Sequence, residues 1–212
     1  MKSVKAIHKT CVRAAAVFFM ATGFVSAQTV INGSFEQGVT FNNALPLYAV
    51  DATSITGWTV ASGDMDYIDS TRWQAGAGNR CLDLSGYGAG TIQQVVNGFT
   101  AGQNYQLTFL MAGNPEDGPA IKSLQASIGS ATQTFSFDIT GFSGANMGWS
   151  PRTLNFTATS PAMTLAFTSL VNGWAGPALD NVIITPVPEP SAVGLVGMGA
   201  LTCLGTRLRR RS

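Results

Sequence analysis

The chain has 212 residues, 11% of them charged, with a formal net charge of +1, three cysteines and one histidine. A single imidazole excludes multi-histidine zinc centres, and because His8 falls in the leader described next, none remains for a Ser-His-Asp or Cys-His pair. The near-zero charge is an average over three unlike parts. Lys2, Lys5, Lys9 and Arg13 precede an apolar run from Ala14 to Phe24, and Val25-Ser26-Ala27 supplies small residues for cleavage. Residues 1–27 therefore read as a secretory signal peptide, with Gln28 as the first mature residue. An uncleaved anchor is the alternative, although the run is short for a span. Between Gln28 and Pro186 the bases are Arg72, Arg80, Lys122 and Arg152, against ten acids, a net of −6. Such a body lacks the electrostatic footprint that holds phosphate backbones, which excludes nucleic acid. Cys11 lies in the leader and Cys203 near the C-terminus, so Cys81 has no partner for a disulfide within the body. Residues 28–186 must be held by a core, and 159 residues suffice to bury about two-thirds of the unfolded surface.

Within that body a period of two recurs and a period of 3.6 does not. Trp58 to Ala61 and Met65 to Tyr67 alternate on either side of a Gly63-Asp64 turn. Cys81 to Leu84 alternates, with the leucines opposite Cys81 and Asp83. Tyr105, Leu107, Phe109 and Met111 share a face, and the pattern repeats at 124–128, 135–139, 154–158, 163–167 and 182–184. Nine or more short strands separated by Gly, Asn, Pro and Ser predict an all-β sandwich of one domain. Asn32-Gly33, Asn97-Gly98 and Asn172-Gly173 are turn signals, and Thr185 to Glu189 reads as a linker.

The chain ends in Val187-Pro188-Glu189-Pro190, sixteen uncharged residues from Ser191 to Thr206, and the cluster Arg207, Arg209, Arg210 and Arg211. The two prolines keep a helix from running back into the body. As a helix the run 191–206 covers about 24 Å, short of the roughly 30 Å hydrocarbon core unless Leu208 joins it and the arginines snorkel. The arginines are expected to stay cytoplasmic, placing everything before Pro188 outside. A core-facing terminal helix is the alternative, but Ala192 to Met198 offers no polar face. The tail resembles the PEP-CTERM sorting signal of Gram-negative bacteria: Pro188, Glu189 and Pro190 match the motif, followed by the membrane helix and the arginine cluster 207–211. That resemblance implies processing by exosortase, with Glu189 a recognition residue. It also implies an inner-membrane intermediate, and then residence in the envelope or the extracellular polysaccharide matrix.

Several residues of the body can carry chemistry. Asp64 and Asp66 project the same way from an extended segment, with Met65 and Tyr67 opposite. They can accept hydrogen bonds from sugar hydroxyls, bind a cation, or line a solvated edge. Glycoside cleavage needs two carboxyl groups facing each other about 5–9.5 Å apart, which Asp66 and Asp83 on different strands can approach. Flat aromatic faces stack on pyranose rings. Trp73, in the polar Thr71-Arg72-Trp73-Gln74 loop, is the leading platform or else a loop anchor, with Asp66, Asp83 and Asn114 as hydroxyl partners. Trp174 is the second platform, while Trp58 reads as core. Cys81 reads as a small buried hydrophobe, or a partly exposed one on the face of Asp83, without a redox role.

Asn32-Gly33-Ser34-Phe35-Glu36 and Gly176 to Val182 resemble the boundary motifs of carbohydrate-binding modules with a galactose-binding-like fold. Gly57-Trp58, Asp66-Tyr67-Ile68, Leu82 to Gly86, Ala112 to Pro115 and Met147-Gly148-Trp149 resemble the bacterial choice-of-anchor C family, related to secreted plant cell-wall proteins. The resemblance implies a jelly-roll β-sandwich with a structural Ca2+ held by Glu36 and Asp180 together with backbone carbonyls of the turn from Asn32 to Phe35. Alternatively, Glu36 caps free amides and Asp180 is a turn residue. The resulting reading is an exported, non-catalytic carbohydrate-binding protein whose partners are a polysaccharide, exosortase and, before processing, the membrane. A self-associating matrix protein is the principal rival, and a polysaccharide-cleaving enzyme using Asp66 and Asp83 the weaker one.

Overall fold

The computed structural model describes residues 30–188. The predicted leader, Glu189 and Pro190 of the sorting motif, the predicted membrane helix and the arginine cluster lie outside the described residues. Among those described, no helix is long and apolar enough to cross a membrane.

The body is an all-β sandwich of two antiparallel sheets. Its strands are β1 (Ala44–Tyr48), β2 (Thr59–Ser62), β3 (Asp64–Asp69), β4 (Arg80–Asp83), β5 (Thr91–Asn97), β6 (Asn104–Gly113), β7 (Ile121–Ile128), β8 (Ala131–Asp138), β9 (Ser150–Thr157), β10 (Ala162–Ser169) and β11 (Pro177–Pro186). A six-stranded sheet runs β1-β3-β4-β11-β6-β9 and a five-stranded sheet runs β2-β5-β10-β7-β8, with antiparallel pairing throughout. Alternating apolar positions of the two sheets meet in one core, which includes Trp58, Tyr67, Leu82, Phe109, Leu124 and Phe167. Each half-apolar strand covers its inner face this way, as the period of two requires.

Three departures from the sequence reading have local causes. Gly63 does not turn a hairpin: β2 and β3 belong to different sheets, and the chain crosses between them there. The crossing needs a left-handed residue, φ +64°, and a Cβ on Gly63 would lie 2.0 Å from the Ala89 carbonyl oxygen. Strands β1 and β5 are additions. In β1 the alternation is broken by Pro46, tolerable because β1 is an edge strand. In β5 the inward position between Ile92 and Val96 is Gln94, buried because its amide bonds the Ile31 N–H, the Ile31 carbonyl and the Gly57 carbonyl. Finally, Thr185 and Pro186 complete β11 instead of forming a linker. Val187 continues the ladder, donating to the Asn104 carbonyl and accepting from the Gln103 amide at 2.9 Å each.

The first and last segments are neighbours. β11 carries a bulge between Asp180 and Ile183, with Asn181 at φ +49°, and the Val182 amide donates to the Gly33 carbonyl at 2.8 Å. A Cβ on Gly33 would meet the Val182 carbonyl oxygen at 2.1 Å, so the Asn32-Gly33 turn docks on the bulge through bare backbone. Phe35 is fully buried, as expected of a residue that fixes this turn.

Candidate functional site

The outward face of the six-stranded sheet divides into a covered centre and an open end. In the register, Asp83 on β4 faces Asp66 on β3 and Ala178 on β11, while Asp180 lies one pleat along on β11, beside Cys81. Loops fold over this centre. A Cβ on Gly76 would touch Leu110, Trp149 and Asp180, and the Gln74 amide bonds the Gly144 carbonyl. Cys81 and Asp83 are therefore buried although they point away from the core. Cys81 is not partly exposed, and burial, aided by Asp180 and Asp83, drives its thiol well above the usual range.

Trp73 is the main correction. It is 1% exposed, its indole N–H donates to Glu116 at 3.1 Å, and Glu116 also pairs with Arg72. The polar loop that suggested exposure is polar because its neighbours tie it down, and Trp73 is a loop anchor rather than a sugar platform. Asp83 and Asn114 are likewise buried. Asp83 accepts from Asn114 Nδ2 at 2.8 Å, the Ser85 amide at 3.0 Å and the Gly176 amide at 3.1 Å. Neither side chain is open to a sugar hydroxyl. Burial, with Asp66 adding to it, lifts the Asp83 carboxyl to about 8 against the pull of those three donors.

These buried groups build the loop carrying Trp174. Lys122 points into the sandwich and is buried, its Nζ donating to the Asp117 and Ala175 carbonyls at 2.7 Å each. The Gly176 carbonyl accepts from the Asn114 amide at 2.9 Å, and a Cβ on Gly176 would sit 2.4 Å from Ser85 Oγ. Residues 175 and 176 are thus pinned from three sides, which leaves Trp174 at the rim, 43% exposed.

At that rim a depression of about 310 Å³ is lined by Pro46, Asp64, Met65, Asp66, Gly86, Tyr87 and Trp174. Asp64 shapes one wall by accepting the Tyr87 amide at 3.1 Å and the Gly88 amide at 2.9 Å, and so presents Tyr87, 80% exposed between two glycines. Tyr48, 54% exposed, pairs with Asp64 across β1 and β3. Asp66 stands half-buried on the floor, where no side-chain hydrogen bond from the described residues holds its carboxylate; burial raises its proton affinity, with Asp64 and Glu116 adding and Arg72 opposing. Of the sequence candidates, the structure brings together Asp66 and Trp174. It adds Pro46 and Tyr87, and the available signal for Tyr87 was a bulky aromatic isolated in Gly86-Tyr87-Gly88.

The expected calcium ligands behave differently from one another. Asn32 is engaged elsewhere: its side chain closes its own turn through Gln37 and reaches the Thr56 carbonyl at 3.1 Å. Glu36 Oε1 accepts the Asn79 and Arg80 amides, and Asp180 accepts the Ala77 and Asn181 amides. No group of three or more His, Cys, Asp or Glu side chains suited to a metal occurs among the described residues. Yet burial first, with the Glu36 charge adding, raises Asp180 to about 7, and among the described residues no cationic side chain bonds either carboxylate. The pair fits a cation in charge; of the turn carbonyls, that of Asn32 already accepts from the Phe35 amide and the Trp58 indole N–H, that of Gly33 from the Val182 amide and that of Phe35 from the Tyr67 hydroxyl.

The body is similar to a carbohydrate-binding module solved with β-1,4-galactotriose, TmCBM61, at 15% identity and a TM-score of 0.45, covering 76% of this chain and all of that one. It is also similar to the CBM35 of Cellvibrio japonicus Abf62, at 16% identity and a TM-score of 0.45, covering 68% of this chain and 94% of that one. Among curated proteins it is 35% identical over 176 residues to halomucin of Haloquadratum walsbyi, covering 79% of this chain but 2% of that much longer protein. Residues 186–211 match the PEP-CTERM protein-sorting motif. Residues 28–185 match the model described as protein of unknown function (DUF642), and the chain belongs to that family.

Proposed function

We propose that this chain is an exported, non-catalytic carbohydrate-binding protein of the cell surface or its polysaccharide matrix, and that the Asp66–Tyr87–Trp174 depression holds the glycan. The observation that carries this reading is the pairing of exposed aromatic faces, Trp174 and Tyr87, with an Asp66 carboxylate free to accept hydroxyl bonds. Rings stack on aromatic faces while the carboxylate fixes orientation. The ligand is a neutral glycan, since Asp64 and Asp66 side by side repel uronates. Cleavage is disfavoured because Asp83, the only carboxylate facing Asp66 across the strands, is buried and cannot reach the far side of a substrate. The sorting motif supports cell-surface delivery. Exosortase processing at the Pro188-Glu189-Pro190 motif and an inner-membrane intermediate belong to the same proposal, as does the closer kinship with choice-of-anchor C proteins. The test is retention of the protein on a panel of neutral polysaccharides: Trp174→Ala should abolish it and Trp73→Phe, inside the fold, should not. Equal retention of wild type and Trp174→Ala overturns the site.

A structural Ca2+ at Glu36 and Asp180 is the remaining part of the proposal. It would offset two carboxylates that lack a cationic partner. Adding calcium to chelated protein should raise the unfolding midpoint, and Asp180→Asn should remove the increase. A midpoint indifferent to calcium ends the metal assignment and leaves the glycan site standing.

A further inference from the structure

The charge of this domain is segregated. Among the five strands of the second sheet the only charged residues are Lys122, which is buried, and Asp138, the last residue of edge strand β8. The outward positions form rows of small uncharged side chains. One row crosses the sheet as Thr91, Thr168, Gln125 and Thr134, the next as Gln93, Ala166, Ser127 and Thr132, and the one beyond sets Val95, 56% exposed, against Thr164. Thr91 and Thr168 bond each other at 3.0 Å, so the hydroxyls lie along the sheet rather than standing up from it. The other carboxylates of the body are carried by the six-stranded sheet and the loops.

We propose that this face is a self-association surface and that its occupant is a second copy of the chain, packed sheet to sheet. Two bodies of net −6 repel wherever their acids meet, and this is the broad face where they do not. Short Thr, Ser, Ala and Gln side chains let two sheets approach to about 10 Å, and their hydroxyls and amides can bond across the gap. The stacked arrangement needs no pairing of the β8 edge. Five strands about 4.8 Å apart and some seven residues long present roughly 450 Å² per copy. About 900 Å² for the two copies together falls below the roughly 1,200–2,000 Å² of stable interfaces, so the association is weak and reversible and is felt where the protein is crowded. The inference does not depend on the glycan site, which lies on the other sheet.

The experiment is sedimentation velocity of the full chain in mild detergent over a wide concentration range. The comparison is with a Thr164→Glu, Gln125→Glu double variant and with Thr153→Glu, an exposed position on β9 of the other sheet. Circular dichroism monitors folding, and Thr134→Glu on the exposed edge strand serves if the double variant does not fold. A dimer in the wild type and in Thr153→Glu, with the association constant lowered at least about ten-fold by glutamates on the five-stranded sheet, bears the proposal out. Three results overturn it: a monomer at every concentration, a dimer indifferent to those glutamates, or a monomer whose retention on insoluble neutral glucan they abolish. The last would make the face a polysaccharide surface. Glycan binding lost in Trp174→Ala with the dimer intact separates this outcome from failure of the glycan site.

Discussion

Replacing Asp83 with alanine is expected to destabilise the domain by about 3–5 kcal/mol, measured by urea unfolding near pH 6. The loss comes from what remains behind. Asn114 Nδ2 and the amides of Ser85 and Gly176 would all be left as buried donors without an acceptor, since a methyl side chain offers none and water is excluded. Each unpaired donor costs about 1–3 kcal/mol. Asp83→Asn keeps the shape and one acceptor and should cost far less, about 1 kcal/mol. The effect should also reach the rim. Gly176 is the second residue after Trp174, and without its anchor the loop loses its fixed place, so Asp83→Ala should weaken glycan retention even where the protein stays folded. An Asp83→Ala protein as stable as wild type would show that the loop is held by other means.

The second large effect is an inverted pH dependence of stability. Asp83 is raised to about 8 and Asp180 to about 7, from a carboxyl that titrates near 3.8 in the unfolded chain. Between those values the folded protein binds protons that the unfolded chain does not. Stability from these two groups is therefore fully present below about pH 4 and declines as pH rises, until both have ionised past about pH 8. Displacements of that size correspond to several kcal/mol. Asp51, Asp69 and Asp138, each held below the usual range although burial opposes it in Asp51 and Asp69, lose their contribution only at still lower pH. The unfolding midpoint in chelator should accordingly fall from pH 5 to pH 8.5. Asp83→Asn should flatten most of that slope, and a midpoint that rises over this interval contradicts the assignment. Calcium, if it holds Asp180 ionised, should blunt the Asp180 part of the slope alone.

The sandwich was legible because burial in an antiparallel sheet imposes a period of two, and nine strands kept it. The strands that escaped broke the rule for reasons a linear reading does not weigh. Gln94 stands inward because three backbone groups of the N-terminal segment and Gly57 need it, and Pro46 sits at an edge where its missing N–H costs nothing. The site was only half legible. Exposure of an aromatic in a polar loop depends on what folds over that loop, and the covering residue, Glu116, lies 43 positions from Trp73. Asp83 looked like an outward carboxylate and is one, but it occupies a central strand beneath loops from elsewhere in the chain. Trp174 and Asp66 could be named from sequence, whereas their meeting required the antiparallel order β1-β3-β4-β11 and the pinned turn at Gly176.

The measurement that bears most directly on the central claim is the response of the four indole N–H resonances to a neutral oligosaccharide chosen from the retention panel. The Trp174 signal should move in a saturable manner while those of the core Trp58 and the loop anchor Trp73 stay in place. Saturable binding that shifts Trp73 and leaves Trp174 unmoved would place the sugar on the covered centre of the sheet and contradict the account.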